Sequence, residues 1–285
     1  MATLSTPPGE EQVESQPAFP ILNLQGDFFK ELPYTPGPVL SKGMSGYVML
    51  ATHRDKPKVR IAVKVMPLTA KLDKAVTESM FNRELGTFNK TDHRGLAKCI
   101  MAIRGPDYLA IALKFYPLGD LGRCVMTLPS TVQTWFAGRL SEAVAYLHHK
   151  RIVHGDIKLQ NVFVDEGFTP VLGDFGLCRC IREEVLTITA DRFGGTEHYW
   201  APEIRDRDNQ MLVDPFKVDT YALGVVILAV VALVKPTIDT DYLVMVNISD
   251  RIPSCHRCIL KRVLDPDFTQ RCTSYDVMTF YSKLL

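Results

Sequence analysis

The sequence has no strong excess of charge of either sign. Its 285 residues include 33 Lys and Arg against 32 Asp and Glu, which gives a formal net charge of +1. A domain that binds nucleic acid usually carries a clear surplus of positive charge on one face. The composition therefore predicts no nucleic-acid partner.

Long apolar runs are also missing. The most apolar stretch, YALGVVILAVVALV, covers only Tyr221 to Val234, whereas a membrane-spanning helix needs about 20 apolar residues. A shorter helix that is apolar on all sides is typical of a buried core. The first residues show no basic start followed by an apolar segment, so the sequence predicts neither a signal peptide nor a membrane span.

The cysteines lack the pattern of a disulfide scaffold. There are seven of them, an odd number without regular spacing, which predicts free thiols in a reducing, intracellular compartment, either cytoplasm or nucleus. Cys255 and Cys258 have the spacing of metal ligands, but no second pair follows them. A short motif of this kind matches by chance often enough that free thiols are the favoured interpretation.

The first 33 residues are predicted to form a disordered tail. They are polar, with several glutamates and the prolines Pro7, Pro8, Pro17 and Pro20. Segments of this composition bury too little apolar surface to offset the entropy that ordering costs. We therefore expect the folded domain to begin at about residue 34.

The rest of the chain divides into two parts, which together predict an α+β fold. Residues 34–115 contain the β-rich runs YVMLATH and VRIAVKVM, with one helical interruption, KAVTESMFNRELGTFNK. Residues 119–285 are mostly helical and begin with STVQTWFAGRLSEAVAYLHHK. Because clefts between two such parts are common ligand sites, we expect a site at their junction.

Three signals in the β-rich part suggest phosphate binding. LSKGMSGYVML places Gly43 and Gly46 between two strands, where backbone N–H groups can approach phosphates, although a plain hairpin turn gives the same pattern. Lys64 ends the alternating run IAVK, and its ammonium could neutralise phosphate oxygens, although a strand lysine usually points to water. Glu84 lies on the following predicted helix and could hold that ammonium in place.

Two signals in the helical part suggest metal-assisted chemistry on a hydroxyl group. The stretch IVHGDIKLQNVFV sets polar residues between apolar flanks, where buried polar groups cost free energy. In it Asp156 could accept a hydroxyl proton, Lys158 could face a phosphoryl group, and Asn161 could hold a metal ion. In LGDFGL, Asp174 stands beside a flexible glycine and can offer oxygens to Mg²⁺.

In this order the motifs resemble the signature of the eukaryotic-type protein kinase family, serine/threonine type. The resemblance covers about residues 35–285 and includes the triplets Asp174–Gly176 and Ala201–Glu203. It implies a bilobal kinase-like fold, with a small β-rich N-lobe over about 34–115 and a larger helical C-lobe over about 119–285. It also implies ATP and Mg²⁺ as cofactors.

The resemblance assigns roles to individual residues. The catalytic roles fall to Lys64, Glu84, Asp156, Lys158 and Thr196. The metal ligands are Asn161 and Asp174. The nucleotide would contact Leu40, Gly43, Gly46, Val48, Ala62, Lys64, Leu113, Lys114, Tyr116, Asp120 and Phe163. Within this set Leu113 is the gatekeeper, and Asp120 would bind the ribose.

Other positions match contacts that organise the family's C-lobe. Glu203 would pair with Arg271, for which the alternative is a solvated surface cation. Asp219 would anchor the backbone of the catalytic loop, residues 154–161. A hydrophobic column, or ordinary core packing, would be formed by Phe88, His154 and Phe175.

The sequence departs from the family pattern at two positions near the active site. Ser41 replaces the first glycine of the glycine-rich loop. Gly155 replaces the arginine that in the family receives a phosphate from the activation loop, the segment between Asp174 and Glu203. Thr187 and Thr189 lie in that segment, so phosphorylation there remains possible but has lost its main acceptor. Because the arginine is missing, the sequence predicts a kinase that does not depend on phosphorylation there.

Three functions remain open at this point. The first is an active kinase that phosphorylates Ser and Thr residues of proteins as a monomer. The second is a pseudokinase that binds ATP and scaffolds partners, which only Ser41 and Gly155 support. The third is a small-molecule phosphotransferase, against which the peptide-groove segment GTEHYWAPE argues. Compact, divergent kinases are often encoded by viruses, in which case this one would act in a host cell.

Overall fold

The computed structural model describes residues 17–43, 45–68, 73–205 and 211–285. Its N-lobe is a six-stranded sheet in the order β1-β5-β6-β4-β3-β2, in which β1 alone pairs in parallel. The strands are β1 (Ile21–Asn23), β2 (Tyr34–Gly43), β3 (Gly46–His53), β4 (Arg60–Pro67), β5 (Cys99–Arg104) and β6 (Tyr108–Lys114). Helices α1 (Phe28–Glu31) and α2 (Lys74–Lys90) belong to the same lobe.

The alternation of side chains along β4 gives its two faces different roles. Ile61 and Val63 are 1% exposed and pack in a small core with Phe28 and Tyr34. Because successive strand residues point to opposite faces, Lys64 lies on the other face, toward the C-lobe. The alternating β-branched residues thus bury one face of the strand and place Lys64 on the opposite face.

The C-lobe is built from helices around short strand pairs. The helices are α3 (Leu121–Cys124), α4 (Ser130–His149), α5 (Pro202–Arg205), α6 (Pro215–Ala232), α7 (Tyr242–Ile248), α8 (Ser254–Val263) and α9 (Ser274–Ser282). The strands are β7 (Ile152–Val153), β8 (Val162–Val164), β9 (Pro170–Leu172), β10 (Arg179–Cys180), β11 (Ile188–Thr189) and β12 (Leu212–Val213). They pair as β7–β10, β8–β9 and β11–β12. This arrangement confirms the predicted α+β, two-lobed fold.

Helix α6 is the centre of the C-lobe. Asp214 caps its start by accepting hydrogen bonds from the backbone N–H groups of Phe216 and Lys217, and Pro215 suits the first turn because its missing N–H is not needed there. Among the residues that the structure describes, α6 alone is long and apolar enough to cross a membrane, yet 89% of it is buried in the fold. We therefore interpret it as the core helix that its composition predicts.

The prediction of disorder up to residue 33 is wrong for residues 17–33. Phe19 and Phe28 are only 7% and 5% exposed, and β1 pairs in parallel with β5 from Ile21 to Asn23. A few well-placed aromatic side chains and one strand pairing order this segment although its average composition is polar. The other part of the predicted tail, residues 1–16, lies outside the described residues.

All seven cysteines are free. Cys178 and Cys272 are buried, whereas Cys180, Cys255 and Cys258 are exposed. Within the described ranges, no group of three or more His, Cys, Asp or Glu side chains could hold a metal ion. Cys255 and Cys258 are free surface thiols, which is the interpretation that the sequence favoured.

We expect the three exposed and the two buried thiols to form two kinetic classes with a thiol-specific chromogenic reagent at pH 8. The thiolate is the reactive form, and burial raises the pKa of Cys178 well above its usual range and that of Cys272 to about 11. Cys180, Cys255 and Cys258 should react at once, and the buried pair only after denaturant is added. Fast labelling of Cys178 in the native protein, detected by peptide mapping, would contradict this burial.

Candidate active site

A cavity of about 700 Å³ lies between the two lobes. All the residues predicted to contact a nucleotide line it, namely Leu40, Gly43, Gly46, Val48, Ala62, Lys64, Leu113, Lys114, Tyr116, Asp120 and Phe163. Glu84, Lys158, Asn161 and Asp174 line it as well. Asp156 and Thr196 are not in the lining but contact Lys158 at its edge. The fold thus brings together residues that are far apart in sequence.

Part of the cavity is an apolar slot lined by aromatic and aliphatic side chains. The rings of Tyr116 and Phe163 stack with centroids 5.7 Å apart and an interplanar angle of 11°. Burial raises the pKa of Tyr116 to about 12, so its hydroxyl stays neutral. The aliphatic side chains of Leu40, Val48 and Ala62 line the same cavity. Slots of this kind with a few polar groups at one end are typical of cofactor sites.

Gly43, at the end of β2, and Gly46, at the start of β3, line the cavity. Gly46 has φ +148°, and a Cβ there would lie 2.0 Å from the carbonyl oxygen of Val65. Only glycine therefore fits this close backbone approach. At Gly43 a Cβ would meet no atom within 4 Å, which leaves space above the cavity.

The Lys64 ammonium forms ion pairs with two carboxylates from different parts of the fold. Its Nζ lies 2.7 Å from Oε2 of Glu84 on α2 and 2.7 Å from Oδ1 of Asp174. The side chains of Lys64 and Glu84 are 12% and 1% exposed, whereas that of Asp174 is 46% exposed. Asp174 adopts a left-handed backbone, with φ 61°, which is uncommon outside glycine and turns its carboxylate toward the cavity.

These contacts shift the pKa values of all three groups. Burial alone would lower the pKa of Lys64, but Glu84 and Asp174 outweigh it and raise that pKa. Burial works against the charge of Asp174, yet Lys64 holds the pKa of this carboxyl below its usual value. Lys64 and Asp174 therefore both stay charged between pH 3.8 and pH 10.5. Burial raises the pKa of Glu84, so acid protonates Glu84 first.

The catalytic loop presents Asp156 in a network of direct contacts. Its Oδ2 lies 2.6 Å from Nζ of Lys158, and its Oδ1 accepts a 3.1 Å hydrogen bond from Oγ1 of Thr196. The ammonium of Lys158 also donates to Oγ1 of Thr196 at 2.9 Å. Nδ2 of Asn161 donates to the backbone oxygen of Asp156 at 2.8 Å and to Oδ2 at 3.0 Å.

The backbone of the catalytic loop is held by Asp219, a residue of α6. The carboxylate of Asp219 accepts hydrogen bonds from the N–H groups of His154, at 2.5 Å, and Gly155, at 2.9 Å. Gly155 has φ +78°, and a Cβ there would lie 3.1 Å from the carbonyl oxygen of Leu177. Glycine therefore adopts this backbone without the strain that a side chain would add. Because glycine has no side chain, the loop also has no positively charged group directly before Asp156.

Aromatic rings connect α2 to the catalytic loop. The ring centroids of Phe88 and Phe175 are 5.0 Å apart, and those of Phe175 and His154 are 5.7 Å apart. Nε2 of His154 lies 3.1 Å from the carbonyl oxygen of Gly173. The predicted column is thus a continuous stack in this structure, and it is also part of the buried core.

Arg271 is buried, so its alternative assignment as a surface cation is wrong. Its side chain is 0% exposed and that of Glu203 is 3% exposed. The two form a bidentate pair, with Nη1–Oε1 at 2.7 Å and Nη2–Oε2 at 2.9 Å. The pair ties the end of the activation loop to the segment before α9.

The donor set around Asp174 fits Mg²⁺. Asn161 uses Nδ2 toward Asp156, which leaves its amide oxygen as the atom that can serve a cation. Asp174 adds a carboxylate that is open to the cavity. Mg²⁺ prefers one or two carboxylates plus substrate phosphates to a cage made only of protein. Asn161 and Asp174 therefore suit a metal that arrives with a phosphorylated ligand.

Arg123 is a cavity residue that the sequence reasoning missed. Its Nε lies 3.0 Å from Oδ2 of Asp120, and its Nη2 donates to the carbonyl oxygen of Leu40 at 3.0 Å. It therefore joins the two lobes at the mouth of the cavity. Its spacing from Asp120 was the only signal in the sequence, and such helical ion pairs are too common to predict a site.

Comparison with known proteins gives one consistent answer. The family model for the protein kinase domain matches residues 34–283. The PR5-like receptor kinase of Arabidopsis thaliana is 29% identical over 68% of this chain and 29% of its own length. The receptor-like cytosolic serine/threonine-protein kinase RBK2 of the same plant is 31% identical over 65% of this chain and 40% of its own.

A mouse protein is similar over more of its length. The testis-specific serine/threonine-protein kinase 2 of Mus musculus is 28% identical over 84% of this chain and 70% of its own length. The plant relatives are much longer, and the matched region spans 29% and 40% of them. The similarity therefore concerns one domain of those proteins.

Proposed function

The chain belongs to the protein kinase family, and from that premise we propose that it is a serine/threonine protein kinase. It transfers the γ-phosphate of ATP to Ser or Thr hydroxyl groups of protein substrates. The observation that carries this proposal is the meeting of Lys64, Asp156 and Asp174 around one cavity. Each group has the chemistry that phosphoryl transfer requires.

Lys64 binds and orients the phosphates in this mechanism. Phosphoryl transfer passes through a loose, highly anionic transition state, so positioned cations matter more than covalent chemistry. Glu84 holds the Lys64 ammonium where β4 presents it, at 2.7 Å. Asn161 and Asp174 would hold Mg²⁺, which would supply further positive charge to the phosphate oxygens.

Asp156 orients the substrate hydroxyl and accepts its proton. Its carboxylate is 9% exposed and is fixed by Lys158, Thr196 and Asn161. A fixed carboxylate needs no reorganisation when the hydroxyl arrives, which favours attack. Lys158 stands beside it, so its ammonium can stabilise the transferring group.

The type of substrate follows from the segment that precedes α5. Thr196 contacts both Asp156 and Lys158, the arrangement that the resemblance to serine/threonine kinases implies. The relatives that are named serine/threonine-protein kinases support the same substrate class.

We further propose that the activation loop needs no phosphate to adopt its working form. Nη2 of Arg151 donates to the carbonyl oxygens of Arg182, at 2.9 Å, and Val185, at 2.7 Å. Strand pairs β7–β10 and β11–β12 hold the same loop at two other points. Through hydrogen bonds to the backbone of the loop, these contacts do what a phosphate would do through an arginine at position 155.

Replacing both loop threonines, Thr187→Val and Thr189→Val, should therefore leave kcat at the wild-type level. Valine keeps the shape of threonine but cannot be phosphorylated. The measurement is kcat with a peptide substrate, before and after phosphatase treatment of the wild-type protein. A large loss of kcat in the double variant and also in the phosphatase-treated wild-type protein would show that the loop depends on phosphate.

The competing functions differ in what the purified chain does with Mg²⁺-ATP. A kinase transfers radiolabelled phosphate to protein substrates or to itself. A pseudokinase shows a thermal shift with Mg²⁺-ATP but no transfer. A small-molecule phosphotransferase labels an aminoglycoside or choline but no protein, and that result would overturn our proposal.

We also propose that the protein works as a monomer in a reducing intracellular compartment, on protein and not nucleic-acid partners. The free cysteines and the balanced charge support this view. Light scattering of the purified chain measures its mass in solution, and the mass of a dimer would contradict the proposed monomer.

A further inference from the structure

Phe19 extends the aromatic stack beyond the region that the family model covers. Its ring centroid lies 6.2 Å from that of Phe88, edge to face at 87°. Phe88 in turn meets Phe175, which meets His154. The family match begins at residue 34, so Phe19 lies outside the matched region.

The segment that carries Phe19 is fixed to the edge of the N-lobe sheet. Strand β1 runs parallel to β5, and the N–H of Ala102 donates to the oxygen of Pro20 at 2.9 Å. The N–H of Leu24 donates to the oxygen of Arg104 at 2.9 Å. Phe19 is therefore held on a rigid support.

The same segment also contacts α2 directly. The N–H of Ala18 donates to Oδ1 of Asn89 at 3.1 Å, one residue after Phe88. From β5, Arg104 donates to Oδ1 of Asn82 at 2.9 Å, and its guanidinium lies 4.9 Å from the ring centre of Phe81. The residues just before β1 and the end of β5 thus hold two successive parts of α2.

The position of α2 matters because this helix carries Glu84. Glu84 lies four residues before Phe88, so the two side chains share one face of the helix. A shift of the helix at Phe88 would therefore move the Glu84 carboxylate relative to Lys64. Without Phe19, one side of the Phe88 ring would lose its packing partner.

We propose that Phe19 is a positioning residue for catalysis. Through Phe88 it holds α2 at the distance at which Glu84 pairs with Lys64, so residues 18–24 act as a built-in brace on the N-lobe. The proposal rests on the proposed kinase function. The simpler reading is that Phe19 only covers apolar surface, in which case its loss would affect stability and not the Lys64–Glu84 pair.

The test compares Phe19→Ala with Ile21→Ala. Ile21 lies on the same segment and is 39% exposed, against 7% for Phe19, so its truncation removes an apolar side chain that is much less buried. We expect Phe19→Ala to lower kcat about tenfold with little change in KM for ATP, because misplacing catalytic groups by about 1 Å can cost up to about 10²-fold. Ile21→Ala should keep the wild-type kcat.

A double-mutant cycle with Glu84→Gln separates positioning from stability. If Phe19 acts through Glu84, adding Phe19→Ala to Glu84→Gln should cost little further activity, since coupled residues are not additive. The same fold loss in both backgrounds would overturn the proposal. The conservative Phe19→Leu should recover most of the activity, and Phe19→Val, which also removes the ring, replaces Phe19→Ala in the cycle if the alanine variant does not fold.

Hydrogen exchange gives a readout that does not depend on activity. Amides of α2 should exchange faster in the Phe19 variant than in wild type, while those of α4 stay unchanged. Unchanged exchange in α2 would refute the brace. If the wild-type chain transfers no phosphate, the proposed function fails, and the exchange of α2 still decides whether Phe19 holds this helix.

Discussion

Replacing Asp156 by Asn is expected to lower kcat about 10²–10⁴-fold, the range for a positioned general base. Asparagine has nearly the same shape and its amide oxygen can still accept the hydrogen bond from Thr196, but it cannot take a proton. Lys158, whose Nζ lies 2.6 Å from Oδ2 of Asp156, would lose its anionic partner as well. KM for ATP should change little, because Asp156 does not line the nucleotide cavity.

The measurement is phosphate transfer to a peptide at saturating Mg²⁺-ATP. Asp92→Asn is the matched control, since the Asp92 side chain is 92% exposed and lies far along the chain from the catalytic loop. It should keep the wild-type kcat. An Asp156→Asn variant with wild-type kcat would remove the base from the mechanism and with it the assigned role of the catalytic loop.

Replacing Arg271 by Met is expected to lower the free energy of unfolding by about 3–5 kcal/mol, the usual cost of removing one partner of a buried ion pair. The Glu203 carboxylate would be left buried without its bidentate partner, from which it accepts bonds of 2.7 and 2.9 Å. Arg271 also donates to the backbone oxygens of Asp265 and Lys217, which would lose a donor.

Urea denaturation followed by fluorescence measures this loss. Combining Arg271→Met with Glu203→Gln should restore part of the stability, because the second change removes the uncompensated charge. Arg182→Met is the control on an exposed pair, since Arg182 and Glu184 are 82% and 67% exposed, and it should cost at most about 1 kcal/mol. Equal effects of the two arginine substitutions would contradict the burial of Arg271.

The sequence predicted the two-lobed fold because its patterns are local. Alternating residues such as Ile61, Val63 and Lys64 specify a strand and its two faces without knowledge of the rest of the chain. The apolar stretch around Tyr221 specified a core helix in the same way. Both features appear in the structure where the patterns placed them.

The sequence could not predict features that depend on a distant partner. The amino-terminal segment looked disordered because its apolar residues are sparse, yet Phe19 is buried against a helix that begins at Lys74. For Arg123 the sequence showed only the spacing from Asp120, because its other partner, Leu40, is far away in the chain.

The sequence by itself determined which chemical groups this protein has and in what order they occur, from Lys64 to Asp174. Only the tertiary structure decided which of them are buried and what each contacts, as the 2.7 Å pairing of Arg271 with Glu203 shows. The physical reason is that strand and helix patterns come from neighbouring residues. Burial and ion pairing come from contacts between segments far apart in the chain, and these fix the free energy of each charge.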